Sequence, residues 1–477
     1  MRVSVITFGC TVNNYESQEI MRKFTQNGDI IVEQGESDVI IFNSCVITGV
    51  AEKGVLQLIE RRRKKHPDAL IIMTGCYNEY IKKEKPDNAA GNVTRYTTGN
   101  GFILVDKKRD DFVDEIHRLY DMYSASGDTA QAREVAVLAG NCSSQPDGGV
   151  AQTKTGAVYI DPAIGGEPAK FRTARALIQV QTGCSNYCSF CIVPHVRGAS
   201  VSTPYDEIEA KIHEYSTDGC REFLFAGLNL GSYDCGGLSL IDVIEKVDAM
   251  QNVGRIRLSS LEPMNISDAF IDRLPNIAKL APHLHISMQC GCSATLHRMN
   301  RRHSYEEFEQ LINRIRAAIP GIAISTDIIV GFPGESDRDF DESIENIVKC
   351  RFSDIHIFKY SQRKGTAAAA MNGQISEHKK NSRALQLKGV KQQSRYDFYS
   401  GYIAETDYVT LLRCSGENGW EGVTSHNFPV FIHDDKSVDS ISGIAILDEG
   451  KPTDGGIIPV RITGMHTSQE AYIGEFA

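Results

Sequence analysis

At 477 residues, with 41% hydrophobic and 23% charged side chains and a formal net charge of −10, the chain has the make-up of a soluble globular protein of two to four domains. No apolar run approaches the ~18 residues of a membrane span, which excludes a helical membrane protein, and the acidic balance argues against a wholesale phosphate binder. The opening MRVSVITFGCTVNN turns polar within a few residues and reads as a first strand rather than a signal peptide, so the expected compartment is the cytoplasm. Thiols stay reduced there, and thirteen cysteines point to metal binding wherever their spacing suits a ligand set.

The first ~130 residues alternate strand and helix. Val3 to Phe8 precedes a helical stretch in which Ile20, Met21 and Phe24 share a face; Asp38 to Asn43 precedes a helix over Gly49 to Lys65; Ala69 to Met73 repeats the pattern. Such alternation predicts a doubly wound parallel sheet, here over residues 1–138. Cys10, Cys45 and Cys76 each fall just past a strand's C-terminal end, the edge where ligands bind in open α/β sheets. Three separately buried structural thiols are the alternative. Their common placement after three successive strands favours one site.

Residues 139–171 are rich in Gly, Ser, Gln and Pro and read as a linker. A longer series follows over 172–396, with strands expected at Ala176–Val180, Glu222–Ala226, Arg255–Ser260, His283–Met288, Ala323–Val330 and Asp354–Phe358. Six βα units predict a (β/α)6 partial TIM barrel, whose chemistry belongs at the C-terminal strand ends. Over 397–477, short strands separated by Gly, Pro and Asp predict a small β-barrel.

The loop after the first of these strands reads TGCSNYCSFCIVPHVRG, with Cys184, Cys188 and Cys191 at C-x3-C-x2-C spacing and no fourth cysteine. Three thiolates can hold three irons of a cubane cluster and leave one open. A closed zinc site using His195 is the alternative, but Pro194 makes that loop awkward. The spacing, the aromatics Tyr187 and Phe190, and the barrel that follows favour a 4Fe-4S cluster.

This arrangement resembles the radical S-adenosylmethionine (radical SAM) superfamily, in which the cofactor chelates the open iron. More closely, FGCTVNNYES, FNSCVITGVAEK and TGCYNE resemble the amino-terminal domain of methylthiotransferases. GCSNYCSFCIVPHVRG, LSSLEP, LHISMQCG, LHRMNRRHS and STDIIVGFPGE resemble its core, and the last segment resembles a TRAM domain. Among the subfamilies, GCTVNNYES and RIRAAIPGIAISTDIIVGFPGE look most like the tRNA N6-threonylcarbamoyladenosine enzymes. The resemblance implies insertion of a methylthio group at carbon 2 of that nucleoside, next to the anticodon of a tRNA substrate. It implies S-adenosylmethionine as both methyl donor and radical source, and a second 4Fe-4S cluster on Cys10, Cys45 and Cys76. An external electron donor and a sulfur source are implied as partners, and no membrane.

Asn229 and Ser232 in GLNLGSYD, Glu262 in SSLEP and Gln289 in SMQCG end barrel strands and are candidate cofactor contacts, or equally satisfied strand-end polar groups. GFPGE at Gly331–Glu335 predicts a turn where backbone approaches a ligand. Cys290 and Cys292 stand in MQCGC where the family usually shows LQSGS; small apolar replacements are the preferred reading over a third metal site. Three basic segments, Arg61–Lys65, Arg298–His303 and Lys379–Arg395, read as solvated faces or RNA contacts. Residues 397–477 carry four Lys and Arg against thirteen Asp and Glu, a balance of −9 that is unfavourable for phosphate. A protein or peptide acceptor is therefore an alternative. A non-catalytic iron-sulfur scaffold is a distant one, since a carrier gains nothing from unfilled coordination.

Overall fold

The computed structural model describes residues 1–32, 37–46, 49–84, 97–98, 102–105, 111–125, 158–161, 170–414, 419–433, 456–465 and 471–476. They fall into two compact units. The first spans the amino-terminal region and also takes in Ile192–Gly198; the second holds the remainder of the chain from Arg172 onward.

In the first unit a six-stranded sheet runs in the order β2-β1-β3-β4-β6-β5. Its strands are β1 (Arg2–Thr7), β2 (Ile30–Ile31), β3 (Val39–Ser44), β4 (Leu70–Gly75), β5 (Thr97–Thr98) and β6 (Phe102–Leu104), parallel apart from the β5–β6 pair. The continuous runs VIIFNS and LIIMTG are buried throughout, as central strands covered on both faces must be. Alternation then splits their side chains between two cores. Ile40, Phe42, Ile71 and Met73 pack on one face with Val55 and Ile59 of α2 (Gly49–Lys65). Val39, Ile41, Leu70 and Ile72 pack on the other with Ile20 and Phe24 of α1 (Thr11–Gln26) and Phe112, Ile116 and Leu119 of α4 (Phe112–Ala125). A further helix, α3, opens at Cys76 and runs to Glu84. The doubly wound expectation holds.

In the second unit the expected six strands form a partial barrel in two parallel sheets. One contains Arg255–Leu258, Glu222–Ala226 and Arg175–Gln179 as neighbours, the other Ser260–Leu261, His283–Ile286, Ala323–Val330 and Asp354–Lys359. The third strand leaves the first sheet after Leu258 and joins the second at Ser260, linking the two. Helices between strands start on paired caps, Ser304 with Glu307 and Ser336 with Asp339, which satisfy the first free N–H groups. The long helix Glu377–Tyr399 follows the last strand.

Five strands, Thr406–Cys414, Gly419–Val423, Pro429–His433, Ile457–Met465 and Tyr472–Phe476, close into the carboxy-terminal barrel. Val409, Leu411, Val430, Ile432, Ile458, Val460 and Ile462 fill it, and Tyr399 stacks on Phe428 at its mouth, 3.8 Å between centroids. A charged row joins this barrel to the core. Arg175, Glu222 and Arg255 lie directly opposite one another on three adjacent strands. Glu222 is fully buried, paired with Arg175 at 2.8 Å, Arg257 at 2.6 Å and Arg255 at 3.3 Å, and accepts from Thr410. Arg257 donates on to the Thr424 and Ser425 carbonyls, and Arg255 to that of Tyr408.

Of the expected linker, residues 139–157 and 162–169 lie outside the described residues, while Val158–Asp161 and Lys170–Thr173 are short strands. Among the described residues no helix is long and apolar enough to cross a membrane.

Candidate metal and cofactor sites

Cys10, Cys45 and Cys76 follow β1, β3 and β4, and the structure gathers them around Asn13. This amide is wholly buried. Its Nδ2 donates to the Phe8 and Ser44 carbonyls, tying together the ends of β1 and β3, while its Oδ1 lies 3.4 Å from Cys10 Sγ and 3.8 Å from Cys76 Sγ. Two glycines make the approach possible. Gly9 has φ 135°, and a Cβ there would sit 3.0 Å from Cys45 Cβ; Gly75 has φ 90°, and a Cβ there would meet Asn43 Oδ1 at 2.4 Å. Three soft donors on a rigid edge, with the backbone drawn in behind them, suit an iron-sulfur group.

Cys184, Cys188 and Cys191 lie in the loop after the first core strand. Tyr187 turns it through a left-handed residue, φ 50°, and Cys191 N–H closes on the Cys188 carbonyl at 3.0 Å. Four contacts lock its centre. Ser189 donates to the Met299 and Arg298 carbonyls at 2.9 Å each, Asn300 Nδ2 donates to the Tyr187 carbonyl, and Ala368 N–H donates to that of Ser189. Burial pushes the Cys184 and Cys188 thiols up, opposed at Cys188 by Arg301, whose Nη1 lies 3.4 Å from its sulfur. Arg301 also donates to the Ser287 carbonyl at 2.6 Å and pairs with Glu262. The RMNRRH segment is thus no solvated face: Arg298 pairs with Asp339, Arg301 and His303 are buried, and the segment clamps the cysteine loop.

Of the candidate cofactor residues, Asn229 and Gln289 are buried and Glu262 is half-buried, and all three follow the ends of strands of this barrel. Burial raises the Glu262 carboxyl above its usual range, with Arg301 opposing. The Asn229 and Asn265 side-chain oxygens are buried without a hydrogen-bond partner. Both flank Gly231, where a Cβ would come within 2.6 Å of Asn265 Cβ, and Asn265 N–H donates to the Glu262 carbonyl. Gln289 holds a left-handed backbone, φ 72°, pinned by its N–H to the Asp327 carbonyl at 2.9 Å. Unpartnered acceptors on one buried wall beside a cysteine loop fit a ligand rich in amino and hydroxyl donors. Ser232, by contrast, is satisfied by the Asn229 carbonyl and Ser200.

Sequence reasoning passed over several residues here. Gln181 accepts from the N–H groups of Leu228 and Asn229 at 3.0 Å and donates to the Gly183 carbonyl, so it sets both the Asn229 turn and the start of the cysteine loop. His285, Asp327 and His356 form a cluster on neighbouring strands: Asp327 Oδ1 lies 3.2 Å from His285 Nε2 and 3.1 Å from His356 Nδ1, and the rings stack. Burial opposes charge on both partners, yet their attraction lowers the Asp327 carboxyl and raises His285. The signal for both was polar residues recurring inside strands otherwise apolar.

Other expectations change. The Gly331 backbone is close to Lys380 of the long helix, where a Cβ would meet Cγ at 2.4 Å, so the GFPGE turn packs on protein. That helix spends much of its charge internally, Arg383 on Glu335 at 2.6 Å and Lys391 on Asp354 at 3.0 Å. Cys290 and Cys292 are buried in an apolar cluster with Met299 and Phe332, and burial pushes Cys290 up to about 12, as a structural thiol should be.

Comparison with known proteins assigns residues 178–347 to the radical SAM superfamily and residues 2–93 to uncharacterized protein family UPF0004. The chain is 30% identical to the threonylcarbamoyladenosine tRNA methylthiotransferase MtaB of Bacillus subtilis over 95% of each chain. It is 32% identical to the protein of that name from Thermotoga maritima over 81% of each. It is also 30% identical to a tRNA-2-methylthio-N(6)-dimethylallyladenosine synthase of Thermodesulfovibrio yellowstonii, over 93% of this chain and 95% of that one.

Proposed function

We propose that this chain, which belongs to the radical SAM methylthiotransferase family, inserts a methylthio group at carbon 2 of N6-threonylcarbamoyladenosine in tRNA. The observation that carries the reading is two separate groups of three cysteines, one on a single locked strand-end loop and one drawn from the ends of three adjacent strands. One suits a radical source and the other a sulfur carrier. We assign Cys184, Cys188 and Cys191 to the radical SAM cluster and Cys10, Cys45 and Cys76 to an auxiliary 4Fe-4S cluster. When bound, these clusters and S-adenosylmethionine supply a carbon-centred radical and an activated methylthio sulfur, chemistry that no side chain can perform on an unactivated C–H bond.

The protein supplies the positioning. Glu262 and the free oxygens of Asn229 and Asn265 are assigned to accept from the cofactor's amino and ribose hydroxyl groups, and Gln289, at the end of another core strand, is a further candidate. Arg301 pairs with Glu262, opposing the effect of its burial, and lies beside Cys188. Gln181 keeps the Asn229 turn and the cysteine loop in register. Because the terminal barrel is acidic, we assign phosphate contacts to exposed bases such as Arg61, Lys64 and Lys65 of α2. The same reading takes residues 1–138, 172–396 and 397–477 as auxiliary-cluster, core and TRAM-like domains working in the cytoplasm with an external reductant and sulfur source.

The test is anaerobic reconstitution followed by incubation with S-adenosylmethionine, dithionite, sulfide and tRNA bearing threonylcarbamoyladenosine. A digested nucleoside in which methylthio replaces one hydrogen supports the reading. Accumulating 5′-deoxyadenosine with unchanged tRNA refutes the RNA assignment and turns attention to protein acceptors.

A further inference from the structure

Arg197 lies in the short helix Val193–Arg197, which packs in the first unit: Ile192 and Val196 join Phe42, Met73 and Cys76 in one apolar cluster. Its guanidinium is 9% exposed and uses three edges. Nη1 and Nη2 grip the two oxygens of Glu16 at 2.8 and 3.0 Å, Nη2 also donates to Asn13 Oδ1 at 2.8 Å, and Nε lies 3.1 Å from Cys76 Sγ. The fork on Glu16 leaves Nε no freedom to point elsewhere.

A cation so held next to a ligating sulfur has a definite electrostatic effect. Each N–H donated to a thiolate draws electron density from it, and a fixed positive charge in a dry site favours the more negative redox state of whatever the sulfur binds. Lysine could not reproduce this, because its ammonium cannot grip Glu16 in a fork while donating sideways to sulfur. Resting on the auxiliary-cluster reading above, we infer that Arg197 is a positioning residue of that site: it orients Cys76 and raises the reduction potential of the cluster Cys76 helps to hold.

The test uses the full chain carrying Cys184→Ala, Cys188→Ala and Cys191→Ala, so that only the auxiliary site can be loaded, reconstituted anaerobically and titrated by electron paramagnetic resonance. Arg197→Gln, and the double variant Glu16→Gln with Arg197→Gln, which leaves no unpaired carboxylate, should both keep their iron. Each should shift the midpoint downward by at least a tenfold change in the reduction equilibrium, about 59 mV for one electron. A loaded cluster whose midpoint is unmoved in the double variant overturns the inference alone. A parent chain that takes up no cluster overturns the auxiliary-site reading and the inference with it.

Discussion

Glu222→Gln should loosen the joint between the core and the terminal barrel. The carboxylate is fully buried among Arg175, Arg255 and Arg257. Although burial alone would raise its pKa, the three guanidiniums bring it down to about 2 from the usual 4.5. At about 1.4 kcal/mol per unit, that difference corresponds to roughly 3 kcal/mol of stability at neutral pH. The figure agrees with the ~3–5 kcal/mol measured when one member of a buried ion pair is removed. The variant also strands an excess of positive charge that burial already disfavours, since Arg175 is held down to about 10. At roughly 2–4 °C per kcal/mol for a domain of this size, the melting transition of the second unit should fall by about 6–12 °C in a calorimetric scan of the full chain. The pH dependence has a fixed sign. A depressed carboxyl stabilises fully above 4.5 and loses that contribution as pH falls toward 2, so the gap between wild type and variant must narrow through that window. A transition within about 1 °C of wild type at neutral pH, or a gap that does not shrink on acidification, would refute the account.

Replacing Cys45 with Ala should remove the auxiliary cluster while leaving S-adenosylmethionine cleavage, seen as 5′-deoxyadenosine released without modified tRNA; Cys188→Ala should abolish the cleavage itself. Gly75→Ala forces a Cβ to 2.4 Å from Asn43 Oδ1 at φ 90°, so it should cost ~1–3 kcal/mol and lower auxiliary iron content, read by iron assay and thermal scan. Asp327→Asn removes the charge that raises His285. The stability His285 contributes is present below 6.5 and lost as pH rises through its elevated value, so unfolding of the variant should be flatter with pH across that range. Lys64→Glu with Lys65→Glu should weaken tRNA binding uniformly and reduce the slope of log affinity against log salt by about two, measured by filter binding.

Strand positions were legible because central parallel strands are forced to be continuous apolar runs. VIIFNS, LIIMTG and AISTDIIV need no partner to be recognised. The placement of the cysteines at strand ends was legible for a related reason: a strand's end is also where the chain turns toward the ligand edge, and Gly9, Gly75 and Gly183, each directly before a cysteine, all adopt positive φ. Partnerships that depend on register were not. Nothing in EFLFA, RALIQ or RIRL says that Glu222 will face Arg175 and Arg255, because a one-residue slip would put them on opposite sides. Composition misled over RMNRRH: arginines are usually exposed, and only tertiary packing identifies Arg301 as one buried against Cys188 and Glu262.

The two cysteine sites share a construction that bears on how such sites stay folded before metal arrives. Each has one arginine N–H on one sulfur, Arg197 on Cys76 and Arg301 on Cys188, and each arginine is tied to a carboxylate, Glu16 or Glu262. A lone buried guanidinium with no anion beside it would be an uncompensated charge costing several kcal/mol. The carboxylate removes that cost in the metal-free chain. Burial raises the Cys184 and Cys188 thiols, so loading of the proposed cluster would displace protons and leave thiolates behind. The arginine would then meet a second anion on the edge already turned to sulfur, without releasing the first. A pair that is neutral when empty and donating when full lets one backbone serve both states, and it requires arginine, the side chain with donors on three edges.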